Sequence, residues 1–510
     1  MDHGHALSMC ILLTINSAPG GTAPWGSRSL VFPKLLDERS EDGRQVLKIK
    51  HDIQLKLTKS SVLPGRFLYR DYEDGIEIHH YLEGQDLEKN LYHDSESMAS
   101  LMVSDDGDLQ VEGIVGKNLR IRPLEAEERS SGSVGGHVLY EVEERLPLSD
   151  DIMFAPDREP GKGTSAFDSI NLEGRHDQAT PAPPEAFPEL VIVVDRAHSR
   201  KFKGKKGEKM NKIINYFGVF VNAVNLKYST LPYVKVKFIL AAVWRYNETE
   251  EDACLKLHGN DSLVSDPTLV MLEKCTGNTK DLAVFDLLLL VTGRDIGLIY
   301  GDGKFSGSES GKAYVGRVCH AQRKIGIVED FPPTYDGVHT LSHEAGHILG
   351  CYHDGYNSPG TFPNHPGGSS CPSSERRIMA PYSDYRNVDG FSYCSGLQVY
   401  FMYYQESTAC LRHRNTTTDY SPASGQLPGD ELKSADQFCK LEYPEYNETA
   451  KNEPNFANGM KLTDCIIVCH LDPNSTKYYR YNSPDGVPCE NGTDKVCINK
   501  VCKHKEYVVT

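Results

Sequence analysis

Hydrophobic and polar positions alternate through the first part of the chain. From Val46 to Leu57 the sequence reads VLKIKHDIQLKL, apolar and polar in turn. A period of two places one set of side chains on one face of a strand, so this stretch predicts half-buried strands. The same texture over residues 21–155 makes that region β-rich. Pro156, Pro160, Gly161, Gly163, Pro181, Pro183, Pro184 and Pro188 then break any regular element, and residues 156–187 read as a linker.

Beyond the linker the period changes. Leu190–Asp195 is continuously apolar up to its last residue, as expected of a strand buried on both faces. Gly207–Tyr228 carries Met210, Ile213, Ile214, Phe217, Phe220, Val221 and Val224 at helical spacing. Val234–Trp244 predicts a second strand, Phe285–Val291 the centre of the sheet, and Val338–Leu349 another helix. Strands alternating with helices predict an α/β sandwich with a mixed sheet. The basic run Arg200–Lys206 reads as a solvated loop ahead of the first helix, with an exosite as the second reading.

The last predicted helix carries the chemistry. Residues 343–354 read HEAGHILGCYHD, the spacing HExxHxxGxxHD. His343 and His347 are i and i+4, so their rings lie over one helical face and can share one metal ion. Glu344 sits one position round, near that ion without having to bind it. Gly350 can adopt positive φ, end the helix and turn the chain so that His353 becomes a third ligand. Three neutral imidazoles leave the fourth tetrahedral position of Zn²⁺ open, which marks a catalytic rather than a structural site. A lone His on a helix is usually structural. A chance match to the whole pattern is on the order of 10⁻⁵ per chain.

These residues resemble the metzincin zinc peptidases. Ile378-Met379-Ala380-Pro381 is similar to their Met-turn, whose methionine floors the metal site, and Asp354 after the third histidine resembles the reprolysin (adamalysin) branch. The resemblance runs from about 188 to 412. It includes Glu189–Asp195 as a first strand, Asp286–Thr292 as a central strand, and Gly311–Gly316 as the edge strand that pairs with substrate. It implies zinc held by His343, His347 and His353, with Glu344 as the general base. It also implies Ala313, Tyr314 and Val315 along the substrate, and Pro381 to Tyr385 walling a specificity pocket. The pairs Cys319–Cys410 and Cys371–Cys394 are carried over from the family, and Cys254–Cys275 can close a local loop; Cys351 is left over. Glu189 and Asp286 match positions that hold Ca²⁺ in several relatives, but His413 stands where an oxygen ligand is expected.

Residues 113–124 and 137–140 resemble the reprolysin prodomain. Leu427-Pro428-Gly429, Gln437-Phe438-Cys439 and Asp485–Cys489 resemble a disintegrin-like, cysteine-rich module of the ADAMTS group. The layout is most similar to secreted arthropod reprolysins of the tick salivary type. The expected organisation is a signal peptide over 1–20, a prodomain over 21–155, the linker 156–187 and a catalytic domain over 188–412. A second linker, 413–430, and the C-terminal module, 431–510, complete it. No cysteine lies between Cys10 and Cys254, so this prodomain offers no thiolate to silence the metal. Latency is then expected from occlusion of the cleft, for instance by His176, Asp177 or an acidic segment.

Composition adds the compartment. Of 14 cysteines, thirteen lie at or beyond Cys254, which suits an oxidising environment. The sequons at Asn247, Asn260, Asn415, Asn447, Asn474 and Asn491 lie in the same half, so secretion is expected. Leu7–Ile15 with Ala18-Pro19-Gly20 is a short signal-like core without a basic start. No run of 18 apolar residues predicts a membrane span. A net charge of −16 argues against nucleic acid as a partner. The expected partners are extracellular proteins as substrates, matrix or clotting proteins among them. The alternative is a catalytically weak adhesive or anti-haemostatic protein acting through its C-terminal module, though no Arg-Gly-Asp tripeptide occurs.

Overall fold

The computed structural model describes residues 25–142 and 182–504. Excepted are 41, 74, 126–127, 129–134, 278, 280–281, 283–284, 383–389, 414–431, 454–461, 474–476, 485 and 499–500. The expected signal peptide, Cys10, His176, Asp177, most of both linkers, the sequons at Asn415 and Asn474, and Leu427-Pro428-Gly429 lie outside the described residues, as do 383–385 of the expected pocket wall.

A ten-stranded sheet organises the molecule. We number its strands along the chain: β1 (Arg66–Glu73), β2 (Ile76–Glu83), β3 (Glu189–Val194), β4 (Ile239–Arg245) and β5 (Leu287–Thr292). The rest are β6 (Gly311–Ala313), β7 (Ile325–Glu329), β8 (Lys451–Asn452), β9 (Ile466–His470) and β10 (Tyr478–Asn482). Their order in space is β6-β7-β5-β3-β4-β1-β2-β10-β9-β8. Strands β7, β5, β3, β4 and β1 run parallel, and β6 closes that end antiparallel to β7. All six residues of β3 and of β5 are buried, which is why Leu190–Val194 and Leu287–Val291 are continuously apolar.

Two cores flank the sheet. Leu190, Ile192 and Val194 face helices α1 (Lys206–Tyr228) and α3 (Gly337–Ile348), whereas Val191 and Val193 face α2 (Ser265–Gly277). Helix α1 buries Ile213, Ile214, Phe217, Phe220, Val221 and Val224 of the stripe its periodicity predicts, and leaves Met210 half-buried. The second strand is shorter than expected, because Lys235–Val236 pairs separately with Glu185–Ala186.

The β-rich N-terminal region divides unexpectedly. Nine of its strands, from Trp25–Val31 to His137–Val142, form one sheet with its own core of Leu47, Leu55, Leu101, Val111, Ile121 and Leu139 among others. That sheet docks on α1: Ser100 donates to the Val219 carbonyl at 2.9 Å, and Asn222 donates to Ser100 Oγ at 2.9 Å. Arg120 and Tyr140 donate to the carbonyls of Thr334 (2.7 Å) and Pro333 (3.1 Å), just ahead of α3. The hairpin β1–β2, from the same region, instead enters the central sheet beside β4. The C-terminal strand β10 pairs with β2. Among the described residues six disulfides link Cys254–Cys275, Cys319–Cys410, Cys371–Cys394, Cys439–Cys469, Cys465–Cys497 and Cys489–Cys502. No helix of the described residues is long and apolar enough to cross a membrane.

Candidate metal centre

Helix α3 presents His343 and His347 with ring centroids 4.6 Å apart. The helix then ends in a Schellman turn. Gly350 has φ +104° and donates to His347 O at 2.8 Å, and Cys351 donates to Gly346 O at 2.9 Å. A Cβ on Gly350 would also lie 2.3 Å from Met402 Cγ, so the position requires glycine twice over. Three residues on, His353 returns to the helix. Its Nε2 lies 3.1 Å from that of His343 and 3.2 Å from that of His347. Ligand nitrogens around a tetrahedral Zn²⁺ with bonds of about 2.05 Å stand about 3.3 Å apart. The three donors therefore fit such an ion.

The tautomers are set from behind. His343 Nδ1–H donates to Ile378 O at 2.6 Å and His347 Nδ1–H to Cys351 O at 2.7 Å. Each ring thereby turns an unprotonated Nε2 toward the common point. Burial, and then the neighbouring imidazoles, hold His347 and His353 well below the ordinary histidine range, so both stay neutral, as metal ligands must.

The expected site residues fall as follows. Glu344 is buried on α3 beside the triad, facing β6. Met379 is buried under α3, so close that a Cβ on Gly346 would lie 2.6 Å from its sulfur. Its carbonyl accepts from Asp354 N at 2.8 Å, which ties the Met379 turn to the histidine loop. Burial raises the Asp354 carboxyl to about 6, against the opposing hydrogen bond from Ser392 Oγ at 2.6 Å. The Cys351 thiol is buried, outside any disulfide, and donates to Ser395 O at 3.6 Å; burial pushes it far up, so it is not a reactive thiolate.

The expected edge strand ends early: Gly311–Ala313 form β6, and Tyr314 and Val315 lie past its end. Tyr314 also points away from the histidines into the core under α2, with its hydroxyl 2.9 Å from Glu273 Oε2. A side-chain role for Tyr314 along a substrate is therefore not what its position offers. Among the described residues no strand pairs with the outer edge of β6.

Three contributors carry no local sequence signal. Gln398 accepts from Tyr352 N (2.8 Å) and donates to Tyr352 O (3.3 Å), holding the loop before His353. Ser392 caps helix α4 (Tyr393–Tyr403) while holding Asp354. Tyr228 donates to Ser342 O at 2.9 Å, one residue before His343.

The Glu189–Asp286 pair does not fit Ca²⁺. Asp286 Oδ2 already accepts from Glu189 N at 2.9 Å. The buried Lys324 ammonium donates to Phe285 O and acts on the Asp286 carboxylate. The sulfurs near Asp286 are tied in the Cys319–Cys410 disulfide, and His413 is exposed with its ring 2.9 Å from Ala409 O. Burial raises the Asp286 carboxyl to about 7 and lowers the Lys324 ammonium to about 8, and among the described residues the side-chain group around Asp286 adds disulfide sulfurs rather than the oxygens Ca²⁺ prefers.

Comparison with known proteins agrees with the histidine site. Residues 189–392 match the sequence model Reprolysin_5 of metallo-peptidase family M12. The chain is 26% identical to the venom metalloproteinase antarease TserMP_A of Tityus serrulatus, over 79% of this chain and 97% of that one. It is 26% identical to the venom metalloproteinase BumaMPs1 of Olivierus martensii, over 68% and 84%. It is also 24% identical to a disintegrin and metalloproteinase with thrombospondin motifs like protein of Bombyx mori, over 85% and 66%. With the histidine spacing, the convergent Nε2 atoms and these matches together, the chain is a metalloendopeptidase whose residues 189–392 form a reprolysin-type metzincin domain.

Proposed function

We propose that this protein is a secreted zinc endopeptidase that hydrolyses peptide bonds of extracellular proteins. The observation that carries the proposal is the convergence of three histidine Nε2 atoms, two of them oriented by Nδ1–H bonds to backbone carbonyls, beside a buried glutamate and an open strand edge. His343, His347 and His353 would hold the ion. Bound there, Zn²⁺ supplies Lewis-acid polarisation of the scissile carbonyl and lowers the pKa of water toward neutrality.

The chain's own groups do the rest. Glu344 accepts the proton of the attacking water at its carboxylate and returns it to the leaving amine, base and then acid. The free edge of β6 aligns an extended peptide by strand addition, through backbone groups rather than the Tyr314 ring. Met379, in the Met-turn role, fixes the floor beneath α3, and Pro381 and Tyr382 begin one wall of a specificity pocket.

The disulfides and the venom relatives support an extracellular setting. Within this reading, 21–155 is the pro-segment, 188–412 the catalytic unit and 431–510 a disintegrin-like module. Calcium has no part in it. A quenched-fluorescence peptide assay with a chelator, followed by zinc add-back, tests the proposal. Activity should vanish and return. Activity indifferent to chelation would end it.

A further inference from the structure

We infer that the hairpin β1–β2 is a permanent part of the catalytic sheet and the mount for the C-terminal module. Severing the chain between 143 and 181 should therefore leave the N-terminal segment bound. Strand β1 pairs parallel to β4, with Leu68, Tyr69 and Arg70 opposite Ala242, Val243 and Trp244. Its side chains enter both cores of the sandwich: Phe67 and Tyr69 pack with the α1 side, Leu68 with Val193 and Trp244 on the other. A pro-segment that leaves on activation is not expected to complete two cores of the enzyme.

Charge points the same way. Arg70 is 4% exposed, lies 4.5 Å from the centre of the Trp244 ring, and pairs with Glu250 as well as with Glu77. Asp71, equally buried, pairs with Arg245. Removing the hairpin would strand Glu250 and Arg245 without these partners. It would also turn β4, whose residues Ile239 to Trp244 are all buried, into a bare apolar edge, the kind that aggregates.

The hairpin's other edge carries the C-terminal module. Ile78 to Tyr81 pair with Tyr478 to Tyr481. Tyr81 stacks on Tyr481 at 4.5 Å, and the Arg66 guanidinium lies over both rings at 4.3 and 4.6 Å. Arg66 also pairs with Glu442 at 2.6 Å. The hairpin thus joins the two disulfide-bonded parts of the molecule through its two edges. Four strands separate it from β6, so its retention leaves the substrate edge open. None of this depends on the proposed catalytic role.

The test uses the full chain with recognition sequences for two site-specific proteases inserted with Gly/Ser flanks, one between 156 and 181 and one between 414 and 431. After both cuts, native mass spectrometry and gel filtration should show one three-fragment complex that separates only in denaturant. An N-terminal fragment that elutes alone in native buffer, or a remainder that precipitates as it leaves, would overturn the inference. Arg66→Ala with Tyr81→Ala should release the C-terminal fragment alone; its unchanged retention would refute the mounting role. In the uncut protein, amide exchange over 66–83 should be slowed at least about 10³-fold, as over 239–245. Full exchange of the hairpin while 287–292 stays protected would overturn the inference independently of any cleavage.

Discussion

Gly311 opens β6 directly against the base, and Gly311→Ala isolates what that closeness is worth. The new methyl would lie 2.6 Å from Glu344 Oε1, 2.8 Å from Glu344 Cγ and 2.7 Å from Thr340 Cγ2. Ordinary contact begins near 3.4 Å, so either β6 or the Glu344 side chain must move by roughly 0.8 Å. Gly311 is not among the residues of positive φ, so alanine adds no backbone strain and the effect is steric alone. Moving β6 shifts the backbone that aligns the peptide. Moving Glu344 takes the carboxylate from the position where it serves the attacking water. A misplacement near 1 Å costs about 10²-fold, so kcat should fall by about 10 to 10²-fold. Overpacking should lower stability by about 1–3 kcal/mol. Zinc content should not change, because no histidine or its Nδ1 partner is touched. The assays are kcat and KM on a fluorogenic peptide, zinc per chain, and thermal unfolding. Gly301→Ala is the control, since nothing lies within 4 Å of a Cβ there. Activity of Gly311→Ala within about threefold of the parent, with full zinc, would refute the placement of Glu344 against β6.

Further outcomes follow from the same geometry. His353→Ala should lose both zinc and activity, because two protein ligands bind Zn²⁺ poorly in an open site; full zinc occupancy by metal analysis would remove His353 from the ligand set. Millimolar calcium should leave the unfolding temperature unchanged, and Lys324→Met should cost about 3 kcal/mol by stranding buried carboxylates; a calcium-dependent rise in the parent's unfolding temperature would contradict the account of Asp286. His80, on β2, is held down to about 3 by burial, helped by Arg480, Lys206 and His79. It stays neutral in the fold while the unfolded chain takes up a proton below about 6.5, so this stability is present above that pH and is lost as pH falls toward 3. The loss should approach ~3 kcal/mol near pH 4, at 1.36 kcal/mol per unit. Denaturant titrations of the parent and His80→Asn that fall in parallel with acid would refute it.

Local signals made much of this legible in the sequence. The helical spacing of His343 and His347, the glycine at 350 and the apolar stripe of α1 depend on residues a few positions apart, and the structure places them accordingly. What could not be read is non-local. Phe67-Leu68-Tyr69-Arg70 has the texture of its β-rich neighbours, and nothing in it says that its partner strand begins at Ile239. Tyr314 sits in a strand-like run, but the side it faces depends on packing against α2. Gln398 and Ser392 support the histidine loop through contacts spanning 46 and 38 positions, beyond the reach of any spacing rule. At the expected calcium site, Lys324 lies 38 positions from Asp286 along the chain and meets it only in the fold.

In the proposed mechanism three histidines hold the metal while Glu344, beside them, handles the proton. Glu344→Gln preserves size and burial and removes the base. Zinc stoichiometry and peptidase kcat, measured on one preparation of this variant, separate the two roles. One zinc per chain is expected, as in the parent, with kcat lower by about 10²–10⁴-fold. Activity retained within about tenfold, or zinc lost along with the activity, would contradict it.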